Sequence, residues 1–456
     1  MKTLRGLKQT LHNKLSLAHK ILLKRLYADL RRPFRHFVQR LQIARTLPPP
    51  PSLPKWTAEE ASTIVENKLM KQRRAEDQVL TSIIIPVFNK VDFTFHCLQT
   101  LLNEIDMSTT EVIVVNNAST DETQKMLAYF ERVIRVFDNE ENQGFVDACN
   151  QGATLARGTY FLFLNNDTAV QSGWLDNLLD TIQGDPSVGA VGSMFLYPDG
   201  RIQEAGAIVW KTGEAYHYGW GKSPDDRRYN FAREVDYCSA ASVLIRKDLF
   251  ERLGGFDRRY APAYYEDVDL CFGVRSLGYK VVYQPLSRVI HYEGVTAGRN
   301  PAVGTKHYQI INQEKFYQKW RDVLERSHFE KDCSLDERAS NRTPGPRFLV
   351  LDDRVPMPDS DAGSGRMFHI LRLLTNLGRP VFVSLRPLPE YEQMLWKQGI
   401  ETAKVGDYHH LLKTRGFRVA ILSRPEVASA LLKPIRRADR QIKITFDMVD
   451  AYFIRL

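Results

Sequence analysis

Between Thr81 and Leu164 the apolar pattern alternates between two periods, and this alternation limits the fold more than any other feature. Strand-like runs occupy Ser82–Phe88, Glu111–Val115, Ile134–Asp138 and Tyr160–Leu164. Amphipathic helical segments lie between them at Phe93–Asn103, Glu122–Glu131 and Phe145–Ala156. Such a chain is α/β, with a mostly parallel sheet and helices on both faces. Ligands of these sheets bind beyond the carboxyl ends of the strands. The residues there are polar: Asn89, Asn116, Asn117, Asn165, Asn166 and Asp167.

The flanking segments read differently. Residues 1–46 form a basic arm. Up to Arg45 it holds twelve Lys/Arg and one acid, so the net charge of +9 belongs to it. Leu4, Leu7, Leu11, Leu15, Ala18, Leu22 and Leu26 step by three or four over a helix at 3–31. Such a helix can lie on an anionic membrane surface. Packing on the globular part or on another helix competes with that reading, and no motif accompanies the charge to suggest nucleic acid. A Pro-rich linker and a helix fill 47–80, with Thr57 and Glu60 as its capping box and an end near Asp77. No apolar run is long enough to span a membrane, and no secretory leader is evident. Five scattered cysteines fit a reducing compartment better than a disulfide framework.

Beyond Leu164, residues 190–245 read as short strands and turns. A helix over Glu266–Leu277 precedes a strand at Val281–Gln284, which Pro285 is expected to close. Lys306–Glu325 reads as a long helix anchored by Phe316, Tyr317 and Trp320, which ends the domain 81–325. A polar linker at 326–345 leads to a second, Rossmann-like α/β unit at 346–456, with strands at Phe348–Leu351, Val381–Leu385, Val419–Leu422 and Ile442–Phe446. That unit is short for an open parallel sheet, so it reads as partial or as completed against the preceding domain.

Tyr265-Glu266-Asp267-Val268-Asp269-Leu270 concentrates acids at a helix start, and His291 follows. With 54 acids in 456 residues about one such triple is expected by chance. Asp167, Asp267 and His291 together offer oxygen ligands and one imidazole, a set suited to Mg²⁺ or Mn²⁺. There is no Gly-x-x-x-x-Gly-Lys-Ser/Thr, and no Gly-x-Gly-x-x-Gly follows the first strand. A nucleotide-sugar diphosphate therefore remains a good substrate candidate. Each residue also has a bland alternative: Asp267 as a helix N-terminal acid, Glu266 and Asp269 as helix-start charges, His291 as a satisfied core histidine.

Residues 81–321 resemble the inverting glycosyltransferases of family 2, of GT-A fold and the bacterial rhamnosyltransferase-like subgroup. The matching stretches are Ser82-Ile-Ile-Ile-Pro-Val-Phe-Asn89, Val112 to Asp121, Asn142 to Gly152, Phe163-Leu-Asn-Asn-Asp167, Gly254-Gly-Phe-Asp257, Glu266 to Leu270, and His291. The resemblance implies Asp267 as catalytic base, with Asp167 and His291 as metal ligands. Asn165-Asn166-Asp167 stands in place of an Asp-x-Asp motif, with one carboxylate fewer for the cation. It implies a nucleotide pocket from Pro86, Phe88, Asn89, Asn116, Asn117, Asn142, Gly144, Asn165 and Asn166. Asn116 replaces an acid, which leaves the base choice between UDP- and dTDP-linked donors open. Donor or acceptor contacts fall to Ser239, Ala240, Asp257, Glu266 and Asp269. Ala240 replaces a more usual glycine and could crowd the donor sugar.

The tail (Phe348 to Pro356, Asp361 to Phe368, Asp447 to Asp450) resembles the start of a GT-B enzyme of family 4 type, and is expected to have no transferase activity alone. The implied function is metal-dependent transfer of a sugar, with inversion, to a hydroxyl of a bacterial surface glycan such as O-antigen. The acceptor is expected to be lipid-linked, on the cytoplasmic face of the cell membrane. A non-catalytic scaffold organising other transferases is the alternative. A sugar nucleotidyltransferase is a further competitor, but its Gly-rich basic start motif is missing.

Overall fold

A computed structural model describes residues 51–71, 79–292, 307–332 and 335–448. The basic arm lies outside them, as does any continuation of the first helix to Asp77.

That helix, α1 (Ala58–Lys71), starts at the expected cap: the Glu60 amide donates to Thr57 Oγ1 at 3.2 Å. The alternating segment then gives β1 (Thr81–Val87), α2 (Val91–Glu104), β2 (Thr110–Asn116), α3 (Thr123–Leu127), β3 (Arg135–Asp138), α4 (Gly144–Leu155), β4 (Tyr160–Leu164) and β5 (Thr168–Val170). Next come α5 (Trp174–Gly184), β6 (Val188–Leu196), β7 (Ile202–Glu204), β8 (Ala207–Val209), β9 (Ala215–His217), β10 (Arg233–Glu234), β11 (Ser242–Arg246) and α6 (Lys247–Leu253). The domain ends with α7 (Glu266–Ser276), β12 (Lys280–His291) and α8 (Tyr308–Ser327).

Ten strands share one sheet, along the order β10-β12-β6-β11-β4-β1-β2-β3 with β5 on β12 and β7 on β6. β3, β2, β1 and β4 run parallel, as do β6 and β12, and β11 is antiparallel between β4 and β6. Strand side chains alternate between faces, so this one sheet builds two cores. Ile84, Ile113, Val115, Phe161 and Phe163 pack with α4 and α7 on one face. Ile83, Ile85, Val112, Val114 and Leu162 pack under α2 and α5 on the other. Each such fully buried side chain contributes roughly 1.5–3 kcal/mol. The α/β expectation with helices on both faces is met.

Three local expectations were not. Pro285 does not end its strand. β12 runs through it to His291, with a register shift between Gln284 and Arg288. A proline is tolerated at such an irregularity because the ladder needs no N–H there. The helix expected to Glu131 stops at Leu127, and turns such as Val133 N–H to Phe130 C=O (2.8 Å) lower Phe130 into the core. Residues 190–245 hold more regular sheet than expected, including the nine-residue, fully buried β6.

The short helix α9 (Asp336–Ala339) interrupts the expected linker, with Ala339 in the core of the larger domain. The C-terminal unit contains β13 (Arg347–Arg354), α10 (Ala362–Leu377), β14 (Arg379–Arg386), α11 (Pro389–Lys397), β15 (Glu401–Lys404), α12 (Tyr408–Arg415), β16 (Phe417–Ser423), α13 (Pro425–Ala438) and β17 (Lys443–Asp447). Its sheet is entirely parallel in the order β15-β14-β13-β16-β17, an open doubly wound arrangement. β15, with the sequence Glu-Thr-Ala-Lys, was too polar to be read as a strand. The unit docks on the larger sheet. Arg227 forks onto Glu392 through two 3.0 Å bonds, and the Ala232 amide donates to the Trp396 carbonyl at 2.8 Å.

Candidate functional site

Strand pairing across a long sequence gap creates the first half of the site. β5 begins immediately after Asp167 and runs antiparallel to the end of β12, with Thr168 opposite His291. The Tyr292 amide donates to the Asp167 carbonyl at 2.9 Å. This register sets His291 Nε2 3.3 Å from Asp167 Oδ1, with both side chains largely buried. On the other side of the ring, Nδ1 lies 3.0 Å from Gln203 Oε1. An amide oxygen only accepts, so Nδ1 is the donor there, and in the neutral ring Nε2 turns a lone pair toward the Asp167 carboxylate. Two electron-rich atoms this close favour a shared cation. The donor chemistry fits Mn²⁺ or Mg²⁺, which take few protein ligands and complete their shell with phosphate oxygens and water. Among the described residues, no group of three or more His, Cys, Asp or Glu converges to hold a metal.

The second half is the start of α7. Tyr264 and Tyr265 both adopt left-handed backbone, with φ of 76° and 73°. For non-glycine residues this costs about 1–2 kcal/mol each. The surroundings hold them there. Asn312 Nδ2 contacts the carbonyl oxygens of Tyr260, Ala263 and Tyr264 at 2.8–3.0 Å, and the Tyr265 hydroxyl donates to Gly213 C=O at 3.1 Å. The turn delivers Asp267 to a pair of amides: Ala240 N–H on Oδ2 (3.1 Å) and Val268 N–H on Oδ1 (2.8 Å). Burial pushes the Asp267 carboxyl above the usual range, against the pull of these amides. Burial and then the charge of Asp267 push Glu266 up as well.

Both halves line one cavity of about 650 Å³, which also receives Pro86, Phe88, Ser239, Ala240 and Glu266. Asn165 and Asn166 line it too, and Asn166 Nδ2 also donates to Thr94 Oγ1 at 2.9 Å. Asn117, Asn142 and Gly144 meet at its edge, where Asn117 Nδ2 donates to Asn142 Oδ1 (2.8 Å) and to the Gly144 carbonyl (3.1 Å). Gly144 has φ of 83°, and a Cβ there would sit 2.8 Å from Pro262 Cβ, so the loop carrying Pro262 can close on the start of α4 only over glycine.

Four of the expected residues lie elsewhere. Asn89 Oδ1 accepts the Thr120 amide at 2.7 Å, joining the loops after β1 and β2. Asn116 is buried, donating to Asp138 and accepting from the Ser119 amide. Asp257 and Asp269 border a separate hollow with Lys319, which bridges them at 3.0 and 2.8 Å. Asp269 also accepts from Trp320 Nε1 at 2.7 Å. Two residues along a helix is about 200° around it, so Asp269 cannot share the outlook of Asp267. In turn the cavity includes Gln203, Glu204, His217 and Tyr237, which sequence reasoning missed. All four come from the region read as short strands and turns, and none belongs to a recognisable motif.

Residues 82–254 match the model of glycosyl transferase family 2. O-antigen biosynthesis protein RfbC of Myxococcus xanthus is 34% identical over 225 residues, 47% of this chain and 17% of that protein. N-acetylglucosaminyl-diphospho-decaprenol L-rhamnosyltransferase of Mycobacterium tuberculosis is 28% identical over 215 residues, 42% of this chain and 69% of that protein. The protein y4gI of Sinorhizobium fredii is 29% identical, with 25% of its length covered, so the chain spans a quarter or less of two of these relatives. A crystal structure of GalNAc-T7 with UDP, GalNAc and Mn²⁺ aligns with TM-score 0.45 and 14% identity, over 64% of this chain and 67% of that one. On the family match and these relatives, residues 82–254 are similar to the glycosyl transferase family 2 domain.

Proposed function

We propose that the chain is an inverting, metal-dependent glycosyltransferase that moves a sugar from a nucleotide diphosphate to a hydroxyl of a bacterial surface glycan. The observation that carries this is the meeting of Asp167, His291 and Asp267 in one cavity after separate origins in the sequence. Asp167 and His291 would hold the cation, which when bound offsets charge on the diphosphate as it leaves. Asp267 would take the proton from the acceptor hydroxyl while that oxygen attacks the anomeric carbon from the face opposite the leaving group. The Ala240 and Val268 amides aim the carboxylate, and its raised pKa makes it a stronger base than an exposed aspartate. Asn117, Asn142 and Asn165 would take the nucleotide. The O-antigen and diphospho-decaprenol names of the relatives support a lipid-linked glycan acceptor, and the donor would be UDP- or dTDP-linked. The basic arm would hold the enzyme against the inner face of the cytoplasmic membrane.

The test is a thermal-shift screen of nucleotide sugars with Mn²⁺. A donor at a hundred times its Kd should stabilise the protein by about 2.7 kcal/mol. No shift with any nucleotide sugar or nucleoside diphosphate would contradict the reading.

A further inference from the structure

Glu204 is a buried carboxylate that nothing in the mechanism above uses. It ends β7, next to Gln203, which orients His291. Its Oε1 accepts the Ser239 amide at 3.4 Å, and the next amide along, that of Ala240, grips Asp267. Consecutive backbone N–H groups thus set two carboxylates side by side. Glu204 Oε2 is buried without a hydrogen-bond partner among the described residues, and its neighbour is His217 Nδ1 at 3.5 Å. Both Glu204 and His217 line the cavity.

A buried carboxylate oxygen without a hydrogen-bond donor is costly, and a ligand hydroxyl in the cavity can supply the missing hydrogen. The location says which ligand. β7 spans from the Asp167–His291 pair, through Gln203, to Asp267, through Glu204. Between a diphosphate held at the first and an attacking hydroxyl at the second lies the sugar being transferred.

We infer that Glu204 is a specificity-determining residue that accepts a hydrogen bond from a hydroxyl of the donor sugar. This rests on the glycosyltransferase reading of the cavity. Burial raises the Glu204 carboxyl, the charge of His217 beside it lowers it, and the charge of Asp267 raises it again.

The experiment compares two ligands of the full chain with Mn²⁺ by calorimetry: the nucleotide sugar that stabilises it best, and the matching nucleoside diphosphate. Hydrogen bonds to charged groups contribute about 1.5–3 kcal/mol, so Glu204→Gln should weaken the nucleotide sugar roughly 10- to 150-fold. The nucleoside diphosphate should bind the variant within about twofold of wild type, because it lacks the sugar. Gln keeps the shape, so a matching melting temperature will show that the fold is kept. Equal losses for both ligands, or none for either, would overturn the inference and leave the glycosyltransferase reading standing. Failure of wild type to bind either ligand would overturn both.

Discussion

Asp267→Asn should lower turnover at least a hundredfold while leaving affinity for the nucleoside diphosphate nearly intact. The amide keeps the size and can still accept the Ala240 N–H through its oxygen. It cannot take a proton, and loss of a general base typically costs about 10²–10⁴ in rate. Wild type carries a second mark of the same group. Burial raises the Asp267 pKa, so the base stays protonated, and inactive, to a higher pH than an exposed aspartate would. The acid limb of kcat/KM should therefore lie above pH about 4, and the variant should lose it. Steady-state kinetics across pH will check both. Unchanged turnover in the variant would remove Asp267 from the chemistry.

The second large effect concerns the cation. Mn²⁺ should tighten nucleoside diphosphate binding in wild type, and Asp167→Ala should abolish that gain. His291→Ala should act in the same direction, since the two side chains face each other at 3.3 Å. Changes to groups that merely orient metal ligands typically cost about 10–100-fold, so removing a ligand should cost at least tenfold. Calorimetry with Mn²⁺ and with EDTA will read this. A variant that still gains as much from Mn²⁺ as wild type would place the metal elsewhere.

The legible parts of the site are those written into local sequence. The β/α alternation and the polar residues at strand ends pointed to one edge of the sheet, and Asn117, Asn165, Asn166 and Asp167 line the cavity there, with Asn142 and Gly144, which only the family resemblance suggested. The acid motif located the start of α7, but helix geometry separates Asp267 from Asp269, and only the packing of Trp320 and Lys319 shows what Asp269 binds. Asn89 and Asn116 stand at the expected edge yet serve loop–loop hydrogen bonds, a distinction composition does not carry. Gln203 and Glu204 were invisible because β7 is three residues long and its identity as a strand comes from pairing with β6. The same holds for β15, whose polar residues become a strand by docking on β14.

The central claim is a single displacement directed by Asp267, and the anomeric configuration of the product tests it most directly. NMR of the sugar transferred from a donor of known configuration should show inversion at the anomeric carbon. Retention would contradict the account, because a lone base on the far face of the sugar cannot deliver it.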